Sequence, residues 1–312
     1  MTDPVSAPIS VESVIARIPE WEGKDVLCQE LGGGITNRNY VATVDGEPGA
    51  PGVGKFVIRI PGEGTDTFID RERELSNHRA AAAAGVTPPL LHVIQPGDCT
   101  VVPFIEGETM HPESIAGHPD RLEKIVDAMR TYHENAVFTN EIRVFDMIRT
   151  YHGMQKDVGA PRPSETDWMM AQSARIEEAM KRDAPAFTAC HNDLLSENFI
   201  LTPEGKMWVI DWEYGGMTDP YFDLGDFCVE TPLTEAEERA ILERYCQGWD
   251  EHRYARMMLH KLVADYWWSI WAMIQATLSK LDFDFYAYGM DRIHRMERNA
   301  AHADYEEWLT SV

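Results

Sequence analysis

The pattern of this 312-residue chain changes near residue 105, and that change limits the folds it can adopt. The first third contains short β-like runs, namely VLCQEL, NYVATV, KFVIRI, LLHVI and TVVPFI, together with one helical stretch over 70–84. Beyond Gly107 apolar residues recur at helical spacing, interrupted by FILTPEGKMWVI, which reads as two strands around a turn. We therefore predict an α+β fold, with a small antiparallel-sheet lobe over residues 1–105 and a larger, mainly helical lobe over 106–312.

Composition and charge narrow the classes of partner. Lys and Arg number 28 against 52 for Asp and Glu, a formal net charge of -24, which repels nucleic acid and anionic membranes and favours cationic ligands. The same acidity also suits solubility or a salty cytoplasm, so charge alone names no function. The five cysteines are scattered, and neither a signal peptide nor a membrane-spanning run is visible. We expect a cytoplasmic protein without nucleic-acid binding or membrane insertion.

The strongest chemical signal is the segment HNDLLSENFI, followed by VIDWEY. His191-x-Asp193, with Asn198 five residues beyond the aspartate, has the D-x-x-x-x-N spacing of a kinase catalytic loop. A histidine beside a strand is more often a core residue, and this spacing alone is weak. We assign His191 an orienting role, because Asp193 fills the position that accepts a proton from an incoming hydroxyl.

A hairpin after this loop strengthens the functional interpretation. If residues 199–201 pair antiparallel with residues 207–210, Asn198 and Asp211 come to the same end of neighbouring strands, where paired Cα atoms lie roughly 4.5–5.5 Å apart. An amide oxygen and a carboxylate can then share one hard cation, and both are ligands that Mg²⁺ accepts. The pattern predicts a magnesium site at Asn198 and Asp211 beside Asp193.

These segments resemble the choline/ethanolamine kinase family, a branch of the aminoglycoside-phosphotransferase and protein-kinase-like fold. The resemblance extends from Leu31 to Met296. It implies a two-lobe kinase that uses ATP and Mg²⁺ to phosphorylate the hydroxyl of a small cationic alcohol, with choline as first choice and phosphocholine as product. Ethanolamine is the main alternative, followed by an aminoglycoside- or thiamine-type acceptor.

The resemblance also assigns residues to the nucleotide. LGGGITNRNY is similar to the phosphate-covering loop, with contacts expected from Gly33, Gly34 and Asn37, although a plain hairpin turn explains a glycine triplet equally well. FVIRIPG matches the strand of the basic phosphate clamp, and the matching residue is Arg59, where protein kinases have lysine. The carboxylate that pairs with it is Glu74, with Glu72 as second choice.

Two further segments match the family pattern. VVPFI corresponds to the segment that links the lobes, so the adenine amino group is expected at the Pro103 carbonyl and a ring nitrogen at the Ile105 N–H. Without the resemblance, an ordinary edge strand explains this run nearly as well. In YFDLGD, Asp223 matches a carboxylate buried under the catalytic loop, and its expected role is structural.

The acceptor pocket is predicted from the last third of the chain. The aromatic stripe in YWWSIWAMIQ, taken alone, is typical of a helix core. In the family an aromatic and acidic pocket holds the quaternary ammonium, and its members match Tyr214, Glu230, Trp268, Trp271 and Tyr288, beside Asp193. Each aromatic face offers roughly 0.5–2 kcal/mol of cation–π attraction, and Glu230 is expected to supply the countercharge. A primary ammonium needs more hydrogen-bond acceptors than this pocket offers, which favours choline.

A protein from another class also shares part of this pattern. A pseudokinase or a choline-binding module would keep the aromatic pocket and lose the catalytic groups, and the presence of Asp193, Asn198 and Asp211 together argues against it. The sequence leaves the oligomeric state open, a homodimer included.

Overall fold

The computed structural model describes residues 9–32, 37–62 and 68–312. The chain divides into two compact units, Met1–Glu106 and Gly107–Val312. Among the described residues, no helix has both the length and the apolar character needed to cross a membrane.

The first unit is built on one antiparallel sheet. Its strands are β1 (Val26–Leu31), β2 (Asn37–Val44), β3 (Gly54–Pro61), β4 (His92–Ile94) and β5 (Cys99–Pro103), and its helices are α1 (Val11–Ile15) and α2 (Arg71–Ala83). The strand order is β1-β2-β3-β5-β4, and every neighbouring pair runs antiparallel. The β-like runs of the sequence correspond to these five strands.

The alternation of residues along β3 separates a core face from a polar face. Phe56, Ile58 and Ile60 are buried in the core of this unit, which also contains Ala42, Val44 and Val101. Because successive side chains of a strand point to opposite faces, Arg59 lies on the other face of the sheet. Strand β3 therefore carries the charged Arg59 side chain on the face opposite the hydrophobic core.

Helix α2 has clear start and stop signals. The Asp70 side chain accepts a hydrogen bond from the Arg73 N–H at 3.2 Å, which caps the first turn. Gly85 follows the helix with φ +81°, a backbone conformation that glycine adopts without strain. The predicted helix over 70–84 is confirmed, and it places Glu74 among the buried residues of the first unit.

The second unit is mainly helical. Its strands are β6 (Glu108–Thr109), β7 (Thr188–Cys190), β8 (Phe199–Leu201), β9 (Met207–Val209) and β10 (Gly216–Thr218). Its helices are α3 (Pro112–Ile115), α4 (Pro119–Asn135), α5 (Val144–Asp157), α6 (Thr166–Met180), α7 (Pro220–Glu230), α8 (Glu235–Cys246), α9 (Glu251–Leu278), α10 (Phe285–Ala300) and α11 (Tyr305–Ser311).

Helix α9 forms the centre of this unit. Every residue from Tyr254 to Ile274 is buried, as expected for a helix that carries apolar residues on all sides. Helices α5, α7 and α10 pack against it. The aromatic run YWWSIWAMIQ lies within this buried helix, and α7, one of its neighbours, carries Asp223.

The predicted hairpin lies between β8 and β9. Phe199 pairs with Val209 and Leu201 with Met207, in antiparallel register. The turn contains Gly205 at φ +85°, where a side chain would be strained. Strand β6 pairs with the other edge of β8, and β7 pairs with β10. The two units together have the α+β organisation predicted from the sequence.

Candidate active site

The loop after β7 is held from below by one buried carboxylate. Asp223 on α7 accepts a hydrogen bond from the His191 N–H at 2.8 Å and another from the Asn192 N–H at 2.7 Å. Tyr132 and His133 donate to the same carboxylate at 2.7 and 3.0 Å. Four donors satisfy the charge in the interior, so Asp223 lies under the loop as the sequence predicted.

The charge of Asp223 is stable despite its full burial. Burial alone raises its pKa, but the hydrogen bond and charge of His133, with the contribution of His191, outweigh that effect and hold the pKa below its ordinary value. The ionised Asp223 carboxylate therefore accepts strong, charge-assisted hydrogen bonds from the loop N–H groups, and these bonds fix the loop backbone.

His191 connects the loop to the hairpin. Its Nε2 lies 2.8 Å from the Ile210 carbonyl, and the Asp193 N–H donates to its Nδ1 at 3.3 Å. A carbonyl only accepts, so Nε2 carries the hydrogen and Nδ1 is the acceptor. Burial lowers the pKa of His191, which matches this neutral form. The geometry agrees with an orienting role for His191.

The hairpin brings the two predicted metal ligands together. The Ile210 N–H donates to the Asn198 carbonyl at 2.9 Å, so the strand pairing continues to the residue before Asp211. The Asn198 side-chain N–H donates to the Asp193 carbonyl at 2.8 Å. Asp211 has φ +72°, an uncommon conformation for a residue with a side chain. Asp193, Asn198 and Asp211 thus lie on adjoining segments of one structure.

The chemistry of these donors fits a magnesium ion. Because the Asn198 amide nitrogen is occupied by the loop carbonyl, its orientation is fixed and its amide oxygen remains as the ligand atom. With the Asp211 carboxylate it offers two hard oxygen donors, and Mg²⁺ is usually held by few protein oxygens plus phosphates and water.

A second polar group, deeper in the unit, does not fit a metal. His133, Cys190 and Asp223 have ligand atoms within 4.8 Å of one another and are all buried. Burial raises the pKa of the Cys190 thiol well above its ordinary value, whereas a metal-binding cysteine is a thiolate. The Asp223 oxygens already accept four hydrogen bonds, so this group is structural.

Negative charge is concentrated around Asp193. Part of its side chain stays exposed, but the surrounding protein desolvates the carboxylate and raises its pKa well above the ordinary value. The charges of Asp226, Asp211, Glu213 and Glu230, in that order, raise it further. A cation bound near Asp193 therefore stabilises its ionised form.

Four predicted aromatic residues form one continuous series of rings. Tyr214 contacts Trp268 edge to face, with ring centroids 5.0 Å apart. Trp268 contacts Trp271 at 5.7 Å, and Trp271 contacts Tyr288 at 6.3 Å, again with steeply tilted planes. Edge-to-face rings leave part of a π face available for a cation. The structure therefore brings the aromatic members of the predicted pocket together.

Glu230 is paired with two arginines of α10. Both of its oxygens lie 2.9 Å from Arg292 Nη2, and Oε1 lies 2.6 Å from Arg295 Nη2. A poorly exposed carboxylate needs a countercharge, and α10 supplies two guanidinium groups three residues apart. Glu230 therefore has two protein cations as partners, which the sequence did not reveal, and its role as the countercharge for a ligand stays a prediction.

Tyr288 also has an internal partner. The Arg292 guanidinium carbon lies 3.3 Å from the centroid of the Tyr288 ring. One face of this ring is therefore covered by a protein cation.

Asp226 is a residue that the sequence analysis missed. It is fully buried on α7, accepts the Leu194 N–H at 2.7 Å and accepts the Trp268 indole N–H at 3.2 Å. The available signal was its position three residues after Asp223, on the same face of the helix.

In the first unit, the predicted clamp residues are paired. Arg59 Nη1 lies 3.1 Å from Glu74 Oε1, and Arg71 Nη1 lies 2.7 Å from Glu74 Oε2. Glu72, the second candidate for this carboxylate, is exposed. Arg71 is the contact that the sequence analysis did not find.

Three of the other residues predicted to contact the nucleotide lie among the described residues. Gly33 and Gly34 lie outside the described residues, and Asn37 is buried at the start of β2. Pro103 ends β5 opposite Phe56, and Ile105 follows that strand, half-buried.

Comparison with known proteins identifies the family. The sequence model of the choline/ethanolamine kinase family matches residues 28–244. This chain belongs to the choline/ethanolamine kinase family. Members of the family are phosphotransferases that act on an alcohol hydroxyl, and this chain is one of them. Its fold is the two-lobe, protein-kinase-like α+β fold predicted from the sequence.

Individual relatives include both kinds of kinase. A solved choline/ethanolamine kinase family protein from Mesorhizobium loti has 29% identity and a TM-score of 0.82, and the match covers 95% of this chain and 96% of that one. Choline kinase LicA from Streptococcus pneumoniae has 25% identity and a TM-score of 0.74, and the match covers 89% of this chain and 94% of that one. Ethanolamine kinase 2 of Mus musculus is 26% identical over 304 residues, which are 89% of this chain and 77% of the relative.

Proposed function

We propose that this protein transfers the γ-phosphoryl group of ATP to the hydroxyl of choline, with Mg²⁺ as the metal. The observation that carries the proposal is the adjoining placement of Asp193, Asn198 and Asp211, with Asp193 next to an aromatic pocket in an acidic environment. Ethanolamine is the alternative acceptor, since relatives named for each substrate are similar to this chain.

Each residue has a distinct part in this reaction. Asn198 and Asp211 would hold the magnesium ion through their oxygens, and Asp193 orients the acceptor hydroxyl and takes its proton. Bound magnesium neutralises charge on the phosphate oxygens. His191 keeps the Asp193 backbone in place through its Nδ1. Most of the rate enhancement then comes from positioning and from electrostatic stabilisation.

Arg59 is proposed as a phosphate ligand. Its guanidinium is always charged and binds two oxygens at once. Glu74 fixes the side chain from one end, and Arg71 shares the Glu74 carboxylate.

The pocket favours a methylated ammonium. Tyr214, Trp268 and Trp271 offer aromatic surfaces rather than hydrogen-bond acceptors. A trimethylammonium group is attracted by the ring faces and donates no hydrogen bonds, whereas a primary ammonium loses water at three N–H groups and needs three acceptors in return.

A turnover panel tests this function. Choline, ethanolamine, thiamine and an aminoglycoside are each supplied with fixed Mg-ATP, and phosphorylated product is measured by mass spectrometry. We expect phosphocholine to form with the highest kcat/KM and phosphoethanolamine to rank second. Preferential phosphorylation of thiamine or the aminoglycoside, or no transfer to either amino alcohol, would overturn the proposal.

A further inference from the structure

Three carboxylates lie along one face of α7, and they differ in their hydrogen-bond and ion-pair partners. Asp223, Asp226 and Glu230 follow one another at helical spacing of three and four residues. Asp223 is saturated by four hydrogen-bond donors beneath the catalytic loop. The other two border the aromatic pocket, and only one of them is neutralised by cations of the protein.

Glu230 belongs to an ionic network within the protein. It pairs with Arg292 and Arg295, and Arg295 Nε also donates to Asp265 Oδ1 at 2.6 Å. Glu230 therefore has two guanidinium partners within the protein. Arg292, which is 4% exposed, also covers the Tyr288 ring. This network is complete without a ligand.

Asp226 has no such partner. It is 0% exposed, and its hydrogen bonds come from two neutral groups, the Leu194 N–H and the Trp268 indole N–H. In the described part of the chain, no Lys, Arg or His side chain forms an ion pair with it. A buried carboxylate without a countercharge is costly. Burial, followed by the charge of Glu230, therefore raises the pKa of Asp226 well above its ordinary value. A cation bound beside Asp226 stabilises the ionised form.

The two hydrogen bonds of Asp226 connect it to the catalytic loop and to the aromatic pocket. Leu194 directly follows Asp193, so one carboxylate oxygen supports the catalytic loop. The other oxygen accepts from the indole of Trp268, a wall of the aromatic pocket. An anionic acceptor at the indole N–H makes the ring face more negative, which strengthens its attraction for a cation.

We propose that Asp226, and not Glu230, supplies the negative charge that selects a cationic acceptor in the aromatic pocket. It acts through the Trp268 ring and through its own field, and is a specificity-determining residue behind the pocket wall. The inference rests on the proposed function, because it concerns the acceptor site of that reaction.

Calorimetric binding of two matched alcohols tests it without turnover. Choline and 3,3-dimethylbutan-1-ol have nearly the same shape, and only choline is charged, so the ratio of their dissociation constants reports the cation preference. We expect a preference of roughly a hundredfold in the wild type. In Asp226→Asn it should fall by about tenfold or more, with the neutral alcohol bound as before. In Asp226→Glu, which keeps the charge, most of the preference should return.

A charge-balanced control separates the two carboxylates. The double variant Glu230→Gln with Arg292→Gln removes one anion and one cation together, so the net charge of the pocket is unchanged. We expect its preference to stay within about threefold of the wild type. Loss of the preference in this double variant, with Asp226→Asn unaffected, would overturn the proposal. An absence of any preference for choline in the wild type would overturn it as well.

A second variant keeps the test decisive if Asp226→Asn does not fold. Trp268→Phe keeps an aromatic ring and removes the N–H through which Asp226 acts, and we expect a severalfold loss of cation preference; an unchanged preference counts against the proposal. The turnover panel is read separately. A wild type that prefers the cation but transfers no phosphate refutes the proposed function alone, and a wild type that phosphorylates choline while Asp226→Asn keeps its preference refutes the inference alone.

Discussion

At the scale of single residues, Asp193 is positioned by its main chain. Its N–H donates to His191 Nδ1, and its carbonyl accepts from the Asn198 side chain. Because these contacts involve only backbone atoms of Asp193, a change of its side chain leaves the loop supported. The carboxylate itself is therefore available for chemistry, in an environment whose desolvation and negative charge raise its pKa.

Asp193→Asn should separate chemistry from binding. The amide keeps the shape of the side chain but does not accept a proton from the alcohol, so we expect kcat to fall by about 10²–10⁴-fold. Affinity for a non-hydrolysable ATP analogue, measured by calorimetry, should stay the same. A variant that retains kcat within threefold of the wild type would remove Asp193 from this role.

At the scale of elements, helix α10 supplies the charged partners of one residue on α7. Arg292 and Arg295, one turn apart, reach Glu230, which lies 62 and 65 positions earlier in the chain. Arg295 also holds Asp265 of α9. The three helices are thus joined by ionic contacts as well as by apolar packing.

The titration of Asp265 should be visible in protein stability. Burial raises its pKa to about 7, against the lowering effect of Arg295, whereas the unfolded chain ionises it near 3.9. Between roughly pH 4 and pH 7 the folded protein keeps a proton that the unfolded chain has lost, so the free energy of unfolding falls as the pH rises. Relative to the wild type, Asp265→Asn should gain stability across this window.

Chemical denaturation of the wild type and of Asp265→Asn at intervals from pH 4 to pH 8 measures this effect. The difference between the two free energies of unfolding should change up to about pH 7 and then level off. A difference that is constant over the whole range would show that Asp265 titrates alike in the folded and unfolded states.

The elements also show which features the sequence could predict. The β8–β9 hairpin follows from two short apolar runs and a glycine turn, all within a dozen residues, so its register and the positions of Asn198 and Asp211 were predictable. The partners of Glu230 and Asp226 lie on distant segments. Local spacing does not encode such pairings, and for that reason the arginine partners of Glu230 and the contacts of Asp226 were not predicted.

At the scale of the whole molecule, the division into two units follows the pattern of the sequence. Alternating apolar residues build the sheet of the first unit, and the long apolar helix α9 organises the second. The net charge of -24 gave only a general preference for cations. In the structure, carboxylates surround Asp193, and none of the Lys, Arg or His side chains that the structure describes forms an ion pair with one of them, Asp226.

The central claim is that one hairpin holds Asn198 and Asp211 on a common divalent ion next to Asp193. Titration of Mn²⁺, followed by electron paramagnetic resonance with a non-hydrolysable ATP analogue present, measures this site directly. Asn198→Ala and Asp211→Asn should each weaken Mn²⁺ binding by about tenfold or more, while Asp265→Asn, a change outside the site, should leave it unaltered. Unchanged Mn²⁺ affinity in both hairpin variants would contradict the account.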